Sequence, residues 1–175
     1  LKIVVSSGGG IQVESEKLKK WLGSFLYPKV WKVKIVKAER ADPEIKKIKS
    51  IKLEKLREAA LDAGYDEILL VSKRGEILEG GITNVFFIKD GCIVTPKNGI
   101  LPGIARSLVL KAARNIGLRV FERPVQEWEL STFDAMFLTN SIRGIIPVDS
   151  PHPIEKKLAT NCDKFLKQRL DEHRN

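Results

Sequence analysis

A mixed α/β or α+β fold is predicted by three features of this 175-residue chain. Apolar runs of strand length outnumber amphipathic stretches of helix length, the helical stretches recur between the strands, and 43% of the residues are hydrophobic. That content is enough for one sizeable core or two small lobes. No internal repeat is visible, and no apolar run approaches the roughly 20 residues of a membrane-spanning helix. The opening residues lack the charged-then-apolar plan of a secretory signal, so the expected location is the cytoplasm. The chain begins with Leu1 rather than Met and is expected to be a piece of a longer protein.

Lys2 to Val5 reads as a short strand and Ser6-Ser7-Gly8-Gly9-Gly10 as a loop. Its glycines miss the dinucleotide fingerprint and no P-loop Lys-Ser or Lys-Thr follows, so no phosphate cradle is expected there. Glu14 to Leu26 sets Leu18, Leu22 and Phe25 at helical spacing, and Trp31, Val33 and Ile35 then alternate with lysines as a half-exposed strand should. Glu39-Arg40-Ala41-Asp42-Pro43 breaks the pattern and is expected to connect two lobes. Ile45 and Ile48 lead into a helix with Leu53, Leu56, Ala60 and Ala63 on one face, closed by Gly64. Strands follow at Glu67 to Ser72 and Ile77-Leu78, then at Val85 to Ile88 and Ile93 to Thr95 around a Lys89-Asp90-Gly91 turn. The helix from Gly103 to Ile116 should turn Ile104, Leu108, Ala112 and Ile116 inward and Arg106, Lys111 and Arg114 to solvent. Leu118 to Glu122 and Ala135 to Thr139 read as strands. Ile154 to Leu170 reads as a last helix, with Leu158, Phe165 and Leu170 in the core.

The formal net charge of +9 favours anionic partners at long range without saying which. Scattered basic residues with no reading motif fit a lysine-rich surface of the heat-adapted kind better than a nucleic-acid face. Cys92 and Cys162 are isolated, without a Cys or His at ligand spacing, and are expected as buried small hydrophobes. His152 and His173 suggest neither a zinc site nor a triad.

Three features could serve one ligand. Pro102-Gly103 opens a helix, leaving N–H groups and the positive dipole end for an anion. Thr139-Asn140-Ser141 ends an apolar strand with hydroxyls and an amide. Glu79 stands at another strand end beside Gly80 and Gly81, where a planar ligand could approach the backbone. Singly, each also reads as an ordinary helix start, polar turn or solvated carboxylate.

Pro43-Glu44-Ile45-Lys46, Gly64 to Leu70, Glu79 to Phe87, Leu101 to Arg106 and Phe137 to Val148 carry a joint resemblance over about Arg40 to Val148. Their order resembles class IV aminotransferases, the fold-type IV enzymes that include branched-chain and D-amino-acid aminotransferases and aminodeoxychorismate lyase. The resemblance implies the large domain of that fold over residues 40–175, a β-rich core with flanking helices, with 1–39 as the remnant of a small N-terminal lobe. It also implies pyridoxal 5'-phosphate as cofactor, an amino acid and a 2-oxo acid as substrates, and a homodimer, with no metal, nucleic acid or membrane.

By the same resemblance, Lys46 matches the lysine that holds the cofactor as a Schiff base and shuttles the proton at substrate Cα, a role needing an amine that can become neutral. Lys49 is the alternative; the spacing of Lys46 to Gly64 and Glu79 fits the family without a gap. Glu79 matches the carboxylate that keeps the pyridine nitrogen protonated, which makes the ring a better electron sink. Gly103, Ile104 and Ala105 match the helix start, with the Ile104 and Ala105 N–H groups on the phosphate, and Ser141 matches a phosphate-binding hydroxyl. Asn84 matches a family Asn with a mostly structural role, and the N–H groups of Ile142 and Arg143 would face the substrate carboxylate.

Departures from the family pattern are Ala105 where Thr is frequent, Ile51 in place of a tyrosine near the ring, and Arg143 where a small or apolar residue is usual. Arg143 reads either as a carboxylate-recognising side chain or as a surface residue. Thr139 to Gly144 also resembles a lyase variant, so a lyase that makes 4-aminobenzoate and pyruvate stands beside the aminotransferase. A catalytically incomplete cofactor-binding fragment is a third reading.

Overall fold

In the computed structural model, residues 2–5, 11–14, 24–40, 43 and 51–172 are described. The strands are β1 (Lys2–Val5), β2 (Ile11–Glu14), β3 (Val33–Lys37), β4 (Glu67–Val71), β5 (Glu76–Gly80), β6 (Asn84–Lys89), β7 (Cys92–Thr95), β8 (Val120–Glu122), β9 (Val125–Gln126), β10 (Ala135–Asn140) and β11 (Gly144–Val148). The helices are α1 (Ile51–Asp62), α2 (Ile104–Asn115) and α3 (Pro153–Glu172), with a 3₁₀ turn at Glu127–Thr132. β1 and β2 pair antiparallel. The rest form a five-stranded sheet, β11-β10-β6-β7-β8, and a four-stranded sheet, β3-β4-β5-β9.

Strands β4 and β6 read as continuous apolar runs because both of their faces are covered. Along β6, Phe86 and Ile88 pack with α2 and α3, including Val109, Ala113 and Leu158. The alternate residues Val85 and Phe87 meet Leu69 and Val71 of β4 in the layer between the sheets. Ile68 and Leu70 point the other way, onto Leu53 and Ala60 of α1. The result is four layers, helix, sheet, sheet and helices, each sealed by side chains whose burial contributes about 1.5–3 kcal/mol apiece. Phe86 and Phe137 stack across the sheet with ring centres 5.0 Å apart.

Several expectations hold locally. Gly64 takes φ 83° just after α1, and the β6–β7 turn has φ 48° at Asp90 and 71° at Gly91, left-handed values that a two-residue hairpin requires. Others need correction. The buried face of α2 is Ala105, Arg106, Val109, Leu110, Ala112 and Ala113, one residue out of phase with the expected stripe. Ile104 is 80% exposed instead of inward. Arg106, expected in solvent, is buried because its guanidinium donates to the Pro96 carbonyl and to Glu122. Ile35 is exposed because β3 is an edge strand, and Ala63 lies beyond the end of α1 and is exposed.

Of the helix expected over 14–26, residues 15–23 lie outside the described residues. Phe25 sits in the core and Leu26 bridges to Ile145 of β11, a strand the apolar pattern did not announce. β3 precedes the lobe boundary expected after residue 39, yet it pairs in parallel with β4 from Val33↔Glu67 to Lys37↔Val71. Among the described residues no helix is long and apolar enough to cross a membrane.

Candidate functional site

The site is organised by the turn that returns β5 into β6. Glu67, fully buried, accepts the Ile82 N–H (3.1 Å) and the Thr83 hydroxyl (3.3 Å) and pairs with Arg57 Nε (3.1 Å), so the 80–83 turn is bound to β4 and α1 at once. A Cβ on Gly81 would come within 2.9 Å of Glu67 Oε1, and one on Gly80 within 2.0 Å of Thr83 Oγ1. The glycine pair thus admits the protein's own side chains, where the sequence suggested a ligand's approach.

Glu79 is 2% exposed, so it is not the solvated carboxylate of the plain reading. Its Oε2 accepts from Asn84 Nδ2 (3.1 Å) and from the Leu101 N–H (2.9 Å), while Asn84 Nδ2 also donates to the Leu101 carbonyl (2.7 Å). Asn84 therefore ties β5, β6 and the approach to α2 into one unit. Arg40 completes it, with Nε 2.7 Å from Glu79 Oε1 and Nη2 donating to the Gly81 carbonyl. The Nε contact joins charges without the alignment of a formed hydrogen bond, leaving both atoms without a hydrogen-bond partner. Burial pushes the Glu79 carboxyl above its ordinary value, and the Leu101 N–H and Arg40 oppose that rise in part. Arg40, expected in a connection between lobes, is a member of the site.

Glu79 and Asn84 line a cavity of about 420 Å³, within the range of small-molecule sites. Gly103, Ile104 and Ala105 line it too. Gly103 holds the N-cap position in extended conformation with no side-chain cap, and the first turn carries no acidic residue. The N–H groups of that turn have no partner within the helix, and the dipole's positive end faces the cavity. A Cβ at Gly103 would stand 2.2 Å from Asn84 Oδ1, so glycine is what lets the helix mouth close on the carboxylate's support.

The β10–β11 turn supplies Ser141, Ile142 and Arg143 to the wall. Asn140 Oδ1 accepts the N–H groups of Ile142 (3.1 Å) and Arg143 (2.8 Å). Those two groups are engaged within the turn, so facing a substrate carboxylate would require Asn140 to release them. The Arg143 guanidinium lies over the rings of Trp31 and Tyr27, 5.2 and 5.8 Å from their centres.

Lys46, like Lys49, lies outside the described residues. Arg40 before it and Leu53 after it both line the cavity. Sequence reasoning missed Arg40, Arg57, Glu67 and Thr83. Only the pattern break at Arg40 gave any signal, since a lone charge in a connection carries no periodicity.

Buried side-chain polar atoms without a hydrogen-bond partner are Arg40 Nε, Glu79 Oε1, Thr139 Oγ1, Arg106 Nε and Glu155 Oε1 among the described residues. Arg40 Nε and Glu79 Oε1 face each other at 2.7 Å, which leaves Thr139 Oγ1 as the unpaired atom on a residue that lines this cavity. Unsatisfied buried polar groups are rare and call for an explanation, and a polar ligand is one. Among the described residues no group of three or more His, Cys, Asp and Glu could hold a metal. A buried carboxylate at one side and an uncapped helix mouth at another fit a ligand with a protonated nitrogen and an anionic tail, as in pyridoxal phosphate.

Residues 15–150 match the profile of the family "Amino-transferase class IV", whose members work with pyridoxal phosphate. A Thermotoga maritima protein named "Probable branched-chain-amino-acid aminotransferase" is 39% identical over 114 residues, 58% of this chain and 41% of its own length. The chain therefore spans about two fifths of that relative. The branched-chain amino acid aminotransferase of Thermobaculum terrenum in its PLP form superposes with a TM-score of 0.72 at 25% identity, over 91% of this chain and 56% of that one. A Legionella pneumophila protein, provisionally assigned as 4-amino-4-deoxychorismate lyase, gives 0.70 at 25% identity, over 82% and 57%. A profile match over most of the length, on a fold that sets a buried carboxylate and a helix mouth around one cavity, places this chain in the class IV aminotransferase family.

Proposed function

We propose that the protein moves an amino group between an amino acid and a 2-oxo acid with pyridoxal phosphate held in this cavity. The observation that carries the reading is the joint presence of Glu79 and the α2 mouth on one cavity wall. When bound, the cofactor supplies an electron sink for the carbanion left when Cα loses its proton.

Every other task falls to the chain. Glu79, anchored by Asn84 and the Leu101 N–H, holds positive charge on the ring nitrogen. The first-turn N–H groups of Ile104 and Ala105, with the Ser141 hydroxyl, grip the phosphate; Ala105 offers no hydroxyl of its own, so that seat rests on backbone. Lys46 Nζ tethers the cofactor and moves the proton at Cα. In sequence it falls between Arg40 and Leu53, both of which line the cavity, and cations near an amine favour its neutral form. A homodimer and a branched-chain amino acid as donor are proposed on the named relatives.

The test is a pyridoxal-phosphate titration of the chain followed by visible absorbance. The expected result is a saturable band that shifts on adding an amino acid and is lost in Lys46→Ala. A native chain with no saturable band would retire the reading. The lyase is a second reading, favoured by Arg143, which has no carboxylate in ion-pair contact among the described residues, and by the likeness to the Legionella protein. Pyruvate released from aminodeoxychorismate without added oxo acid would select it.

A further inference from the structure

Among the described residues, the buried threonines differ in what their hydroxyls touch. Thr83 donates to Glu67 (3.3 Å) and Thr95 to the Val85 carbonyl (2.8 Å), whereas Thr139, 1% exposed, has no hydrogen-bond partner for Oγ1. A buried hydroxyl without a partner is a cost to the fold, so its presence calls for a role.

Register fixes where this hydroxyl stands. Thr139 lies directly across from Asn84 in the antiparallel β10–β6 pair. Opposed residues put their side chains on one face, with Cβ atoms about 4.5–5.5 Å apart. Two residues along each strand, Phe137 and Phe86 occupy that same face and share a core cluster with Ala105 and Val109 of α2. Asn84 Oδ1 reaches the α2 mouth, since a Cβ on Gly103 would stand 2.2 Å from it. The Thr139 side chain is therefore set on the α2 side of the sheet, beside the helix mouth. Thr139, Gly103, Ile104 and Ala105 line the same cavity.

No side chain of the helix start competes for an anion there. α2 has no side-chain cap and no acidic residue in its first turn, and the cavity's Arg40 and Arg57 are held by Glu79 and Glu67. Donors thus approach from two elements, N–H groups from the helix and a hydroxyl from β10. A carboxylate offers two oxygens in one plane. A tetrahedral oxyanion carries oxygens outside any one plane and can accept from both elements at once.

We propose that Thr139 is an anion-binding residue, its hydroxyl donating to an oxygen of a phosphate seated at the α2 mouth, so that the cavity selects phosphorylated ligands. The proposal deepens, and rests on, the reading that a phosphate tail occupies that mouth. It requires neither Lys46 nor turnover.

The test is calorimetric titration of the chain with 4-deoxypyridoxine 5'-phosphate and with 4-deoxypyridoxine, which share a ring, carry no aldehyde for a lysine, and differ in the phosphate. The native chain should bind the phosphate ester about tenfold or more tightly than the free alcohol. Thr139→Val, similar in shape, should weaken ester binding about tenfold while leaving 4-deoxypyridoxine within about twofold. The denaturant midpoint of the unliganded Thr139→Val chain should equal or exceed the native one, because an unpartnered hydroxyl has been removed. Thr139→Ser should keep most of the ester affinity. Equal ester affinities in the native and Thr139→Val chains, an equal loss for both compounds, binding of neither compound by the native chain, or a lower midpoint in Thr139→Val would each overturn the proposal; the last would make the hydroxyl a structural group. Thr139-dependent ester binding, without an amino-acid-responsive band from pyridoxal phosphate, would retire the proposed reaction and leave the anion seat standing. That band, with ester affinity indifferent to Thr139→Val, would retire the seat and leave the reaction.

Discussion

Replacing Arg40 with Met strands the Glu79 carboxylate. At 2.7 Å, two unit charges attract by roughly 6 kcal/mol at an effective dielectric of about 20. Desolvation of Arg40, whose side chain is 22% exposed, cancels part of that attraction. The loss is further capped, because the carboxyl can escape by protonating. From an ordinary value near 4.3, that escape costs about 1.36 kcal/mol per pH unit, or roughly 3.5 kcal/mol at pH 7. Burial already holds the Glu79 carboxyl above its ordinary value, and removing the cation raises it further.

A raised folded-state value means that the affected stability is whole below the unfolded-state value and is lost as pH climbs through the folded one. Urea unfolding of native and Arg40→Met chains should therefore diverge by about 3 kcal/mol near neutral pH and converge towards pH 4. In a Glu79→Gln background, adding Arg40→Met should change stability by an amount that does not vary with pH over this range. A loss that stays constant across this range, or one under about 0.5 kcal/mol at neutral pH, would show that the pair is not the electrostatic unit described here.

Glu155 gives a second pH signature. It is 1% exposed, its Oε2 accepts the His152 N–H at 3.1 Å, its Oε1 has no partner among the described residues, and burial pushes it up to about 7. Glu155→Gln should match the native chain near pH 5 and exceed it by about 1–3 kcal/mol at pH 8.5, because only the native chain must then bury a charge; denaturant midpoints decide it, and equal midpoints at pH 8.5 would count against it. Gly144→Ala adds a Cβ 2.1 Å from the Phe25 carbonyl at φ 68°. It should cost more than about 2 kcal/mol and release the Leu26–Ile145 bridge, seen as faster amide exchange at Tyr27, whose N–H donates to the Ile145 carbonyl. A loss below about 1 kcal/mol would contradict the close approach.

Much of the fold could be read along the chain because its two strongest codes are local. Continuous apolar runs such as Ile68 to Val71 and Val85 to Ile88 are what covered sheets require, and Asp90-Gly91 names its own turn. The phase of α2 could not be read this way. Arg106 is buried by partners at Pro96 and Glu122, each distant in sequence, and Ile104 stays exposed because the first turn opens on a cavity. At the site, the order of motifs pointed to Glu79, Asn84 and Gly103, which the fold brings into contact around one cavity. Arg40 and Glu67 escaped notice because a buried ion pair leaves no periodic trace. The fate of the Ile142 and Arg143 N–H groups depended on an Asn140 rotamer that residue identity does not determine.

The proposed chemistry requires one amine, a buried carboxylate and a helix mouth to act on a single bound ring. The most direct measurement is to load the chain with pyridoxal phosphate, trap the attachment with borohydride, and map the modified lysine by peptide mass spectrometry. One stoichiometric label is expected, on Lys46, with none on Lys49 or the surface lysines. A label on Lys49, a scatter over many lysines, or none would contradict it.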